Sequence, residues 1–91
     1  IPLKAGRFRV RWLGTTTAHA GDPLGFVDVW ADGARVDRRD VFYAEFGASE
    51  KLLAEITFEL DKPTTNLEYR LFVNKGVRVI LERINLESAE S

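Results

Sequence analysis

The stretch GFVDVW contains the residues best suited to binding a ligand, because two large aromatic side chains alternate with a single acid. In an extended strand, successive side chains point to opposite faces. Phe26, Asp28 and Trp30 therefore share one face, while Val27 and Val29 share the other. Sugar rings stack their C–H faces on aromatic rings, and a neighbouring carboxylate accepts hydrogen bonds from their hydroxyls. An exposed face of this kind would bind a carbohydrate, with outward Phe72 from a later strand beside it.

Two other interpretations of the same stretch remain open. Phe26 and Trp30 could belong to the core, because burial of a tryptophan stabilises more than burial of a valine. Asp28 would then be carried inward and would need a partner such as an arginine. Alternatively, the aromatic side chains face outward and cover a protein–protein interface.

A row of basic residues lies on the strand GRFRVRWL, where Arg7, Arg9 and Arg11 share one face. One interpretation is a cationic row for an anionic ligand, since guanidinium groups bind carboxylates with two parallel hydrogen bonds. The other is a set of salt bridges to acids on neighbouring strands. The candidate acids are Glu55, Glu59, Glu68 and Glu82.

Catalytic chemistry has little support in the sequence. The single histidine, His19, lies in the polar stretch TTTAHAGDP near Asp22 and several threonines, but no catalytic triad requires that local spacing. The chain has no Cys, and it has neither a glycine-rich phosphate loop nor a metal-spaced histidine pair. We therefore expect no enzyme activity and no catalytic residue, and we expect His19 to be a solvated loop residue.

Length and charge limit the possible partners. Ninety-one residues with 45% hydrophobic and 30% charged side chains are typical of one small globular domain. The net charge of −1 gives no basic surface for nucleic acid or for an anionic membrane, so neither is expected. The chain also has no Met, and for this reason we interpret the sequence as a piece of a longer protein. Its compartment is not indicated.

Alternation with period two predicts most of the chain as strands. We expect strands over 6–13, 26–31, 51–60, 67–73 and 77–86, with irregular extended chain over 34–46 and a loop over 14–25. A helix beginning near SEKLLAEI is the alternative for the start of the fourth strand, but the alternation up to Leu60 favours a strand. Asp32-Gly33 is typical of a hairpin turn. This pattern predicts an all-β domain, an antiparallel β-sandwich or jelly roll of about six to eight strands.

Several residues are assigned to one core. They are Phe8, Val10, Trp12, Ile56, Phe58, Leu60, Tyr69 and Leu71. Val36, Val41, Tyr43 and Phe46 are the expected buried positions of the irregular segment, and Leu52 and Ala54 are expected to point inward.

The last strand changes phase, because Val77, Val79 and Leu81 are odd-numbered whereas Ile84 and Leu86 are even-numbered. A bulge near Glu82-Arg83 would bring both sets to one side; otherwise both faces of the strand are covered. We expect a single domain over 1–86 and a disordered tail over 87–91, where apolar residues are few.

The segments AGRFRVRW and ITFELDKPTTNLEYRLFVNKGVRVILERINL together resemble the opening and closing parts of β-jelly-roll carbohydrate-binding modules of the galactose-binding-like class. The resemblance implies a non-catalytic accessory module from a glycan-processing or cell-surface protein. Its partners would be a carbohydrate or the remainder of the parent protein.

The same resemblance bears on metal binding. Modules of that class often hold a calcium ion with an acid two residues before the final Ile, the position of Glu82 here. The residues themselves indicate no metal site or other cofactor. The alternative function is a structural or homo-oligomerisation domain without a small ligand.

Overall fold

A computed structural model describes residues 3–43 and 52–89, and all regular secondary structure in them is β-strand. The strands are β1 (Gly6–Thr16), β2 (Pro23–Ala31), β3 (Ala34–Phe42), β4 (Leu52–Leu60), β5 (Leu67–Val73) and β6 (Val79–Ser88). No helix long and apolar enough to cross a membrane occurs in the part of the chain that the structure describes.

The strands form two antiparallel sheets of three. Sheet A has the order β4-β1-β6, and sheet B has the order β3-β2-β5. The sheets pack face to face, which confirms the predicted antiparallel β-sandwich. The first strand of each sheet in sequence, β1 or β2, lies at its centre.

The core lies between the sheets and consists of the alternating inward side chains. Val10, Trp12, Ile56, Phe58 and Leu60 are buried in it, and Phe8, Tyr69 and Leu71 are partly buried against it. The predicted core is therefore confirmed. A direct contact between the sheets joins Trp12 of β1 to Tyr69 of β5, whose rings meet edge to face with centroids 6.4 Å apart.

The hairpin between β2 and β3 turns at Asp32-Gly33, as predicted. Both residues have positive φ, 50° and 85°, which is the conformation that a two-residue type I′ turn requires. The Asp32 side chain also accepts a 2.8 Å hydrogen bond from the backbone N–H of Asn66, just before β5. This bond ties the hairpin end of sheet B to its third strand.

A bulge in β4 changes which leucine is buried. Trp12 pairs with Ala54 and Leu13 pairs with Leu52, so Leu53 is the extra residue between them. Leu53 is only 3% exposed, whereas Leu52 is half-buried. The prediction that Leu52 continues the inward row is therefore wrong, because the bulge reverses the alternation at the start of the strand.

The bulge predicted in β6 is present. Leu13 pairs with Arg83 and Gly14 pairs with Leu81, so Glu82 is the extra residue. The bulge places Leu81 and Ile84 on the same side of sheet A, as expected. A Cβ atom at Gly14 would collide with the Ile80 carbonyl, so β6 approaches β1 closely here because position 14 is glycine.

Several predicted boundaries shift. The loop predicted over 14–25 is shorter, since β1 continues to Thr16 and β2 begins at Pro23. The tail predicted from residue 87 is wrong for Glu87 and Ser88, which pair with β1 as part of β6. The segment predicted as irregular over 34–46 forms the regular strand β3 up to Phe42, so that prediction is wrong for 34–42. Val41 is buried in it and Val36 and Tyr43 are partly buried, while Phe46 lies outside the described residues.

The sandwich is closed on one side and open on the other. β4 packs against β2 and β3. On the opposite side, β5 and β6 leave inward-facing apolar residues partly exposed: Val73 by 40%, Leu81 by 45% and Ile84 by 36%. Val27 and Val29 at the centre of sheet B are fully buried. Within the described residues, no strand pairs with the outer edges of β5 and β6, and the open side of the sandwich lies between these two edges.

Candidate binding surface

The two faces of β2 are clearly distinguished. Val27 and Val29 are fully buried in the core, so Phe26, Asp28 and Trp30 lie on the outer face of sheet B. The interpretation that placed Phe26 and Trp30 in the core is therefore wrong. The two aromatic residues are half-buried, and Trp30 is partly exposed as expected.

Phe72 of β5 lies next to this row, as predicted. It is the cross-strand partner of Phe26, and their rings are stacked with centroids 4.6 Å apart and planes inclined by 17°. Phe72 is 40% exposed. The predicted ligand-binding residues Phe26, Asp28, Trp30 and Phe72 are thus neighbours on one surface.

The acid in this row has a basic partner on the neighbouring strand. Arg70, opposite Asp28 in the β2–β5 register, donates from Nε to Oδ1 at 2.9 Å and from Nη2 to Oδ2 at 2.7 Å. The indole Nε1 of Trp30 donates to the same Oδ2 at 3.0 Å. Asp28 is 2% exposed, and the hydrogen bonds from Arg70 lower its pKa despite its burial, which acts in the opposite direction.

These contacts change the role expected for Asp28. Its carboxylate is covered, and its two oxygens already accept hydrogen bonds from Arg70 and Trp30. The expectation that Asp28 is available to a ligand hydroxyl is therefore wrong. The acid instead fixes the positions of an indole and a guanidinium, and the Arg70 side chain remains 44% exposed.

The aromatic rings and guanidinium groups form a continuous array across sheet B. The Arg70 Cζ atom lies 4.9 Å from the Phe72 ring centroid and 5.3 Å from the Trp30 centroid. The Arg38 Cζ atom, on β3, lies 4.3 Å from the centroid of Phe26. These distances are within the range of cation–π attraction. We call this array the aromatic face: Phe26, Asp28, Trp30, Arg38, Arg70 and Phe72.

Sequence reasoning missed Arg70 and Arg38 as members of this site. The alternation of LEYRLFV places Arg70 on the same outward face as Phe72, which was a usable signal. The missing information was the strand order. Nothing in the sequence states that β5 lies beside β2, which makes Arg70 the neighbour of Asp28.

The row of Arg7, Arg9 and Arg11 lies on the outer face of sheet A and is paired with acids, which confirms the salt-bridge interpretation. The hydrogen bonds run from Arg7 to Glu59 (3.0 Å), from Arg9 to Glu87 (2.9 Å) and from Arg11 to Glu55 (3.2 Å). Two of these acids were among the predicted partners. Glu87 came from the segment predicted as a tail, and Glu68 lies on the other sheet.

The remaining candidates lie apart from the aromatic face. His19 is exposed in the loop between β1 and β2, where its backbone N–H donates to the Asp22 carboxylate at 3.0 Å. Glu82, the possible calcium ligand, is the extra residue of the β6 bulge. Within residues 3–43 and 52–89, no group of three or more His, Cys, Asp and Glu residues is arranged to hold a metal ion.

Comparisons of the chain with protein-family models, with curated proteins and with solved structures found no match.

Proposed function

We propose that the domain is a non-catalytic carbohydrate-binding module and that the aromatic face is its ligand surface. The proposal rests on the position of Arg70. Its guanidinium is anchored by the buried carboxylate of Asp28 and lies near two partly exposed rings, those of Trp30 and Phe72. This arrangement combines apolar ring surface with charged hydrogen-bond donors, the two kinds of group that a sugar contacts.

Preorganisation supports a binding role for this face. Burying Asp28 costs free energy unless its charge is compensated, and Arg70 and Trp30 provide that compensation. A guanidinium has five N–H donors, and two of them, the Nε–H and one Nη2–H, are directed at Asp28. The others are available to hydroxyl or carboxylate oxygens of a sugar. Because Arg70 and Trp30 are already held in place, a ligand would lose little affinity to ordering them.

A glycan array followed by calorimetric titration of the best ligand tests this proposal. We expect Phe72→Ala and Trp30→Ala to weaken binding at least tenfold, because each removes a ring that contacts the sugar. Two control variants should leave affinity unchanged: Ile80→Ala, which removes an exposed apolar side chain from the other sheet, and His19→Ala in the loop. Circular dichroism checks that each variant is folded.

Two results would contradict the proposal. One is the absence of any bound glycan on the array with folded wild-type protein. The other is a glycan whose affinity is unchanged by both Phe72→Ala and Trp30→Ala.

A second candidate function is oligomerisation, and the open side of the sandwich favours it. Val73, Leu81 and Ile84 leave apolar surface exposed beside the two free strand edges. Apolar side chains exposed beside unpaired strand edges favour contacts with another protein chain.

A further inference from the structure

The free edge of β6 has the backbone groups needed to add another strand. In the part of the chain that the structure describes, β6 is an edge strand of sheet A and pairs with β1 alone. The Ala89 N–H donates to the Arg7 carbonyl at 2.9 Å, so the backbone groups of residue 89 point toward β1. The backbone N–H and C=O groups of successive residues point to opposite edges of a strand. Those of Asn85 therefore also point toward β1, whereas those of Ile84 and Leu86 point to the free edge.

The side chains of β6 are complementary to those of a second β6 that runs in the opposite direction. If two copies of β6 run antiparallel with Asn85 opposite Asn85, then Arg83 lies opposite Glu87 on both sides of the centre. On the other face, Ile84 lies opposite Leu86. Opposite charges and apolar pairs at directly facing positions both stabilise an antiparallel pair.

We propose that β6 pairs antiparallel with β6 of a second copy of this chain, centred on Asn85, to form a two-fold symmetric dimer. Sheet A then continues across both copies. The backbone N–H and C=O groups of Ile84 and Leu86 bond to those of Leu86 and Ile84 in the partner copy. A self-complementary patch of this kind is what a two-fold interface requires.

Charge selects this register over its neighbours. Moving the centre by one residue, to Ile84 or Leu86, removes the pairing of Arg83 with Glu87. Glu87 already accepts a hydrogen bond from Arg9 through Oε1, and its second oxygen can accept one from the partner's guanidinium.

The edge also carries a stabilising apolar component. Ile84 is 36% exposed and Leu81 is 45% exposed on the inner side of β6. Pairing across the edge brings Ile84 against Leu86 of the other copy and removes apolar surface from water. Long unprotected edges tend to pair with other strands, and β6 has no Pro and no Lys.

This inference deepens the oligomerisation candidate and does not depend on carbohydrate binding. The aromatic face lies on sheet B, so both properties can occur in one molecule. Failure of the dimer leaves the glycan test unaffected, and failure of the glycan test leaves the dimer unaffected.

Single cysteines provide the experiment, because the chain has no natural Cys. In the proposed register, the Cα atoms of the two Asn85 residues form a non-hydrogen-bonded pair about 4.5 Å apart. This distance lies within the range of about 4.4–6.8 Å that a disulfide spans. Asn85→Cys should therefore form a disulfide-linked dimer on mild oxidation, visible by non-reducing electrophoresis.

The control is Arg83→Cys, on the same strand and the same face, which also removes the pairing with Glu87. Its two copies would lie about 13 Å apart, four residues along the strand, so it should not cross-link to itself. A mixture of Arg83→Cys and Glu87→Cys should cross-link, because those positions face each other.

Sedimentation velocity of the wild-type protein completes the test. We expect a reversible dimer, weakened at least tenfold by Arg83→Glu and unchanged by Arg39→Glu, which alters net charge equally on a strand of the other sheet. A wild-type protein that stays monomeric at the highest soluble concentration overturns the proposal. So does cross-linking of Arg83→Cys as fast as Asn85→Cys, since that outcome indicates random collision.

Discussion

The guanidinium of Arg70 and the carboxylate of Asp28 form two parallel hydrogen bonds, 2.9 Å and 2.7 Å long, that join β5 to β2 on the outer face of sheet B. The carboxylate is almost completely covered, while the Arg70 side chain keeps contact with solvent. The geometry is bidentate, which is the strongest arrangement of this ion pair. It makes one acid responsible for the positions of both Arg70 and Trp30.

Asp28→Ala should destabilise the domain by about 1–3 kcal/mol, because hydrogen bonds from charged and indole donors lose their acceptor. Asp40→Ala is the matched control, since Asp40 is an exposed acid on the same sheet whose pair with Arg38 spans 3.5 Å. That variant should change stability by no more than about 1 kcal/mol. Urea unfolding followed by circular dichroism measures both. Equal losses of stability in the two variants would mean that the Asp28–Arg70 pair stabilises the domain no more than an exposed ion pair does.

The same pair makes stability sensitive to acid. The pKa of Asp28 is lowered in the folded protein, chiefly by the hydrogen bonds from Arg70. Its stabilising contribution is therefore fully present above the unfolded-state pKa of about 3.9 and is lost as the pH falls through the lower folded-state value. The stability difference between wild type and Asp28→Asn should be constant near neutral pH and should shrink below about pH 4. A difference that grows on acidification would contradict the assigned direction of the shift.

The two tryptophans should report opposite environments. Trp12 is fully buried, whereas Trp30 is partly exposed on the aromatic face. The variant Trp12→Phe leaves Trp30 as the only tryptophan, and its emission should be red-shifted and quenched by acrylamide. Trp30→Phe should give blue, poorly quenched emission from Trp12. The reverse result would place Trp30 in the core and remove it from the proposed ligand surface.

Core packing should depend on Ile56, which is fully buried on β4. Ile56→Ala should cost about 2–5 kcal/mol, through lost apolar burial and the cavity that remains. The control Ile80→Ala removes the same atoms from a side chain that is 69% exposed and should change stability by less than about 0.5 kcal/mol. Thermal unfolding of both variants checks this, and equal melting temperatures would contradict the assigned core.

Gly25 lies where β2 meets β5, and a Cβ atom there would collide with the carbonyl of Phe72. Gly25→Ala should therefore push the two strands apart and disturb the stacked pair of Phe26 and Phe72. Gly21→Ala is the control, because Gly21 also has positive φ but has open space around it. We expect the Gly25 variant to lose clearly more stability in urea unfolding. Similar losses would mean that backbone strain alone accounts for the effect.

Much of the fold follows from alternation, because residues two apart along a strand share a face. The inward row of β4 from Ala54 to Leu60 came from this rule, and so did the grouping of Phe26 and Trp30 on one face, although the rule left open whether that face points outward. It also located the β6 bulge, since Leu81 and Ile84 could share a face only if one extra residue lay between them.

Alternation does not encode which strands become neighbours. Asp28 and Arg70 are far apart in the chain, and their pairing depends on β5 lying beside β2. Glu87 was assigned to a tail because the residues around it are polar. It is held in β6 by pairing with Arg9 on a strand near the other end of the chain. Local composition cannot report such distant partners.

The strand order of sheet A has a consequence for folding kinetics. Among the described strands, β1 is the first in sequence and the centre of its sheet, yet one of its neighbours is β6, the last of them, so that Phe8 pairs with Ser88. Pairing between such distant segments requires a large loop to close before any stabilising contact forms. The entropy lost in closing the loop slows folding. A ribosome must release β2 to β5 and then β6 before β1 can acquire its second neighbour. Until then, the central strand of the finished sheet is an open edge, and the growing chain is most exposed to misassembly at the segment that later becomes its interior.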